Sequence, residues 1–134
     1  MPDPSFTDDS SIRDDAELWR RVPHWQYEEE EDGSITLSSA VFSPRRLSVT
    51  IAEDVLTSGR TPENIVEEFP NFGLLGITAG NARACAQIIY RLPENDEPAH
   101  AEVYGNKTKS VKRKLKEEAL GRGWVVFPSP PDSK

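Results

Sequence analysis

The residues of this chain best suited to chemistry lie between His100 and Lys116. In the run Ala99-His100-Ala101-Glu102-Val103-Tyr104, apolar and polar residues alternate, so a strand would put His100, Glu102 and Tyr104 on one face. An imidazole, a carboxylate and a phenol side by side suit general acid–base work when partly buried. An ordinary half-solvated strand shows the same alternation, and the expectation here is an outward polar face, solvated or hydrogen-bonded. Gly105-Asn106-Lys107-Thr108-Lys109-Ser110 then leads into a helix. Free N–H groups and the dipole at a helix start attract anions, which makes Lys107, Thr108, Lys109 and Ser110 a candidate anion site. Asn106 or Thr108 would cap the helix in either case. Val111, Leu115 and Ala119 recur every four residues and should face inward. That turns Lys109, Lys112, Arg113 and Lys116 outward, a basic face able to touch phosphates without reading bases. Arg113 can pair with Glu117 and Lys114 with Glu118, whereas Lys109, Lys112 and Lys116 have no acid at that spacing.

Two partial resemblances bear on catalysis. His100-Ala101-Glu102 resembles the His-Ala-Glu element of zinc-dependent nucleobase deaminases, where the histidine binds zinc and the glutamate shuttles a proton. That element works with a Pro-Cys-x-x-Cys motif, which this chain lacks, and it opens a helix rather than lying in a strand. Arg20 or Arg21, Ser38 or Ser39, and Glu102 are similar in chain order to the arginine, serine and glutamate of ADP-ribosyltransferases. That resemblance implies arginine on the dinucleotide phosphates, serine supporting the ribose and Glu102 orienting the acceptor. It covers residue types in order, without a spacing signature. Lys107 does not follow Gly105 directly, and the stretch just ahead, where a Walker A loop needs its earlier glycine, reads as strand, so that pattern is not met. No Gly-x-Ser-x-Gly elbow surrounds any strand serine. With His24 and His100 the only histidines and Cys85 the only cysteine, no metal site and no cofactor are expected.

The elements that must position these groups follow from hydropathy and breakers. Leu18 to Val22 reads as a first strand and the glutamate run Glu28 to Gly33 as a loop. Ser34 to Ser43 reads as a strand with a bulge or bend at Ser38-Ser39. Leu47, Val49 and Ile51 alternate with Ser48 and Thr50, and the short link from Pro44 to Arg46 predicts a hairpin between these two strands. Thr61-Pro62-Glu63 starts a helix that stops by Pro70. Phe72 to Thr78 is an almost continuous apolar run, hence a buried central strand. A short helix from Ala82 to Ala86, strands at Gln87–Leu92 and Ala99–Tyr104, a helix at Thr108–Leu120 and a strand at Trp124–Phe127 complete the chain. The expected fold is α+β in a single domain, a mixed, largely antiparallel sheet with two to three helices. Residues 15–127 form the domain, 1–14 a disordered acidic arm and 128–134 a disordered tail, since both ends are rich in proline and poor in apolar groups.

Charge sharpens the question of partners. Net charge is −7 over 134 residues, but residues 1–32 hold eleven acids and three bases, and the remainder nets +1. Six of the sixteen bases fall between Lys107 and Lys116. No apolar run approaches the roughly 20 residues that span a bilayer, and the acidic start lacks the apolar core of a signal peptide, so a cytoplasmic protein without membrane contact is expected. The function expected is a non-catalytic binding module whose basic helix meets a protein or a phosphate-bearing ligand. Nucleic acid is not favoured, because no aromatics for base stacking accompany the helix. A small ADP-ribosyltransferase-like enzyme and an antitoxin-like or immunity-like blocking protein are the alternatives. The opposed charges further suggest that the acidic arm folds back over the basic helix.

Overall fold

The computed structural model describes residues 6–129 as an α+β fold. A six-stranded antiparallel sheet runs in the order β6-β7-β4-β1-β5-β8. Its strands are β1 (Glu17–Val22), β4 (Arg46–Ile51), β5 (Gly73–Thr78), β6 (Ile88–Arg91), β7 (His100–Tyr104) and β8 (Trp124–Val126). A separate two-stranded hairpin joins β2 (Tyr27–Glu29) to β3 (Ile35–Leu37). Four α-helices complete the fold: α1 (Ala52–Thr57), α2 (Pro62–Val66), α3 (Ala79–Ala84) and α4 (Lys109–Arg122). None of them is long and apolar enough to cross a membrane.

The period-2 pattern of the strands divides the sheet into two unlike faces. Leu18, Leu47, Val49, Leu75, Ile89 and Val103 share the first face, where Leu115 and Ala119 of α4 pack on them. Val41, Phe42 and Leu37 close the same layer from the 3-10 turn Ser39–Phe42 and the hairpin. The second face is apolar only over β1 and β5, where Trp19 and Leu74 meet Val55 of α1 and Ile65 of α2. Over β4 and β7 it is polar, because the register sets Thr50 opposite His100, Ser48 opposite Glu102 and Arg46 opposite Tyr104.

Local chemistry explains the boundaries. In β5 the apolar run is buried on both faces, and its two glycines admit neighbours. A Cβ on Gly73 would lie 2.5 Å from the Trp124 ring, and one on Gly76 3.1 Å from the Glu17 side chain. Asn64 Oδ1 accepts from Thr61 N at 2.8 Å, capping α2 with Pro62 in the first turn. Thr108 Oγ1 accepts from Val111 N at 3.2 Å to cap α4, which ends at Gly123 with φ of 88°.

Two expectations about pairing are corrected. Residues 34–43 do not pair with β4. Ile35–Leu37 pairs with Tyr27–Glu29, so part of the glutamate run is strand. Glu28 and Glu29 are exposed and stay hydrated, so their repulsion does not prevent pairing. Asp32 Oδ1 accepts from Ser34 N and Gly33 takes a φ of 87°, which closes the turn. At Ser38-Ser39, the place of the expected bulge or bend, the strand ends: the Ser38 hydroxyl accepts from Ala40 N and starts the 3-10 turn. That frees β4 to pair with β1 and β7.

Residues 6–14, read from composition as part of an unpacked arm, lie on the fold. Asp9 N donates to Ile89 O at 2.7 Å, and Asp8 Oδ1 accepts from Ile89 N at 2.9 Å, so the segment bonds the outer edge of β6. Ile12 is 2% exposed within the first-face core, and Phe6 stacks on Tyr90 at 4.6 Å between ring centroids. Residues 1–5 and 130–134 lie outside the described residues. Of the expected tail, Pro128 is buried near Gly73, and Ser129 O accepts from Asn71 Nδ2 at 2.6 Å. Truncating Ile12 to alanine should cost about 2–4 kcal/mol of unfolding free energy in urea denaturation. A change within about 0.5 kcal/mol would mean that the segment contributes no packing.

Candidate functional site

The polar half of the second sheet face brings His100, Glu102 and Tyr104 together, as the alternation implied, but it buries all three. Glu102 accepts from Tyr90 Oη at 2.6 Å and from Arg46 Nε at 2.9 Å. Burial, with the Glu102 carboxylate beside it, pushes the Tyr90 phenol well above its usual range. Phe6 lies over this group, tilted against Tyr104 and 4.8 Å from the Arg46 guanidinium. Both donors to Glu102 meet the same oxygen, Oε1. Of the expected solvated or hydrogen-bonded face, the part around Glu102 is hydrogen-bonded and lies under Phe6 of the N-terminal segment, while His100 lines a cavity.

The junction Gly105–Ser110 does not assemble an anion site from its two lysines. Lys107 is buried, and its Nζ donates to Val103 O at 2.9 Å, Arg45 O at 3.1 Å and Gly105 O at 3.2 Å. Thr108 spends its hydroxyl on the cap, while Lys109 and Ser110 are exposed beyond it. Gln87 Nε2 holds the loop by donating to Asn106 O at 3.0 Å, an approach that Gly105 permits. Along α4, Lys116 Nζ donates to Leu37 O at 2.9 Å, so it anchors the hairpin. Arg113 pairs with Glu117 at 3.6 Å, both side chains exposed, and Lys112 is half-buried. The acids of residues 6–14 do not reach α4: Asp8 and Asp14 pair with Arg83, and Asp9 with Arg91.

The residues similar in order to an ADP-ribosyltransferase site are not brought together. Arg20 reaches into the space beside β4, donating to Val41 O and Ser48 O at 3.1 Å each. Burial pushes its guanidinium down to about 10. Ser38 caps the 3-10 turn on the first face, whereas Glu102 lies on the second. Among the described residues no cluster of three or more His, Cys, Asp or Glu is arranged to hold a metal ion. Cys85 is buried.

Sequence reasoning missed a cavity of about 440 Å³ on the second face, open between α2 and the 92–99 loop. Trp19, Arg21, Ser48, Thr50 and His100 form its floor and inner wall. Arg21 Nε donates to Ile65 O at 2.6 Å, and its guanidinium sits 4.3 Å from the Phe69 ring centroid. The wall is fixed by a bidentate pair, Arg60 Nη1 and Nη2 to the two Glu97 oxygens at 2.9 and 2.7 Å. The Arg60 hydrogen bonds hold the Glu97 carboxyl below its usual range. Glu67, Glu68, Glu94 and Asp96 stand exposed around the opening. The alternation of Ser48 and Thr50 with apolar residues was the one sequence signal for this floor. No protein-family model, curated protein or solved structure matches the chain.

Burial, with Arg45 and Arg20 nearby, pushes the Lys107 amine down to about 8. Between about pH 8 and 10 the unfolded chain, with a lysine near 10.4, then binds more protons at this site than the folded chain does. Unfolding free energy should therefore rise with pH through that window. Comparing urea denaturation at pH 8 and pH 10, Lys107→Met should lose this increment. An equal pH dependence in both proteins would place the Lys107 amine at its ordinary value.

Proposed function

We propose that the chain is a non-catalytic binding module whose helix α4 contacts a protein or phosphate-bearing partner. The observation that carries this reading is the division of labour between its cations. Arg46, Arg60, Arg83, Arg91 and Arg122 each meet a carboxylate with at least one partner part-buried. All five described lysines fall between 107 and 116, and no ion pair among the described residues uses any of them. Lys107 and Lys116 serve main-chain carbonyls. Lys109, Lys112 and Lys114 are left for solvent or a partner, beside the weakly held Arg113. Three flexible ammonium groups along one helix suit contacts to carboxylates or phosphates as point charges.

The burial of Glu102, whose Oε1 already accepts two hydrogen bonds, and the three carbonyls around Lys107 support a non-catalytic reading over a transferase. A general base or acceptor-orienting carboxylate has to reach a substrate, and Glu102 sits beneath Phe6 with Tyr90 and Arg46 already bonded.

Heparin chromatography at low salt is the direct test. Replacing Lys109, Lys112 and Lys114 with alanine should advance elution to clearly lower salt, because each lost phosphate-type contact lowers the salt slope by about 0.7–0.9. Glu67→Gln with Glu68→Gln, on the other sheet face, should leave elution nearly unchanged. Equal elution of the triple variant and the parent protein would contradict the assignment of this helix.

A further inference from the structure

The cavity on the second face is independent of α4, which packs on the first, and its chemistry is of the opposite sign. We propose that it binds an organic cation bearing N–H donors, an ammonium or guanidinium group at the end of an alkyl chain. Two independent features converge on this. The rim carries Glu67, Glu68, Glu94 and Asp96, none paired with lysine or arginine among the described residues, with Glu94 Oε2 4.0 Å from His100 Nδ1 and Glu67 accepting from Asn64 Nδ2 at 3.1 Å. The floor carries polar atoms that the fold leaves open. Thr50 is 5% exposed and its side chain lines the cavity, yet no described residue bonds its hydroxyl. His100, 8% exposed, lies opposite it in register.

The imidazole sets which kind of ligand group fits. His100 Nδ1 lies 2.8 Å from Leu92 O, which only accepts, so Nδ1 carries the hydrogen. The Nε2 of a neutral ring is then an acceptor, and no described residue meets it. An acceptor nitrogen and a hydroxyl within a ring of carboxylates call for a donor-rich, positively charged group. An anion would find Arg21, but its guanidinium lies over Phe69 with Nε donating to Ile65 O, and the negative charges of Glu97, Asp96, Glu94 and Glu68 already act on it. The volume of about 440 Å³ accommodates a side-chain-sized group.

Such a group can belong to a free polyamine-like molecule or to a basic residue of a peptide segment, and the test separates them. Agmatine, a short peptide of alternating arginine and serine, and inorganic phosphate are titrated separately into the 15N-labelled full chain. Agmatine or the peptide should shift the amides of Thr50, His100 and Asp96, and phosphate should not. Tighter binding of the peptide assigns the site to a chain segment, and equal or tighter binding of agmatine assigns it to a free amine. Glu94→Gln with Asp96→Asn should weaken binding about threefold or more. Thr50→Val should weaken it by about threefold too, at an unchanged or higher unfolding midpoint, because the fold itself gives this hydroxyl no bond to lose. Overturning results are shifts caused by phosphate instead, absence of shifts with both cations, or a Thr50→Val protein that loses stability while binding unchanged.

Discussion

A carboxylate taken out of water costs several kcal/mol unless a charged or donating partner meets it. Two such groups, Glu97 and Glu102, determine how the second face of this sheet is built. Glu102 is met by Arg46 across β4 and by Tyr90 across β6, which ties the three outer strands together through one carboxylate. Glu97 is met by both terminal nitrogens of Arg60, which ties the 92–99 loop to the link between α1 and α2. One half of the face is thereby closed and the other held open. Phe6 seals the Glu102 side, while the Arg60–Glu97 pair forms a fixed wall beside Thr50 and His100.

The same requirement explains how groups that look free in one dimension are bonded in three. Lys107 is surrounded by three carbonyls, Arg20 by two, and Glu118 by the main chain and hydroxyl of Thr78. Each replaces a main-chain partner that the sheet or loop leaves unmet at that point. β1 and β4, for instance, pair only at Leu18–Ile51 and Trp19–Thr50, and Arg20 supplies the donor that Ser48 O then receives. Polar satisfaction in this protein falls to side chains wherever the ladder of hydrogen bonds is interrupted.

Much of the scaffold was legible in the sequence. The alternation in β4 and β7, the apolar run of β5 and the Thr61-Pro62 start of α2 all record local periodicity or capping chemistry. The polar face of His100, Glu102 and Tyr104 follows from the same alternation. What could not be read depends on contacts distant in the chain. The packing of residues 6–14 rests on Asp8, Ile12 and Phe6 meeting β6 and its neighbours some 80 residues away, which segment composition averages out. Spacing put Lys107 at a helix start but could not give the direction of its side chain. The cavity draws on β1, β4, α2 and the 92–99 loop at once, so no single stretch announces it.

The claim that paired buried charge builds the second face is tested most directly at Arg60 and Glu97. A double-mutant cycle with Arg60→Met and Glu97→Gln, read by urea unfolding, isolates their interaction from the cost of each change alone. The account predicts a coupling of about 1–3 kcal/mol, as expected for a part-buried, bidentate pair. A coupling within about 0.3 kcal/mol of zero would contradict it, because the loop would then be held in place by something other than this pair.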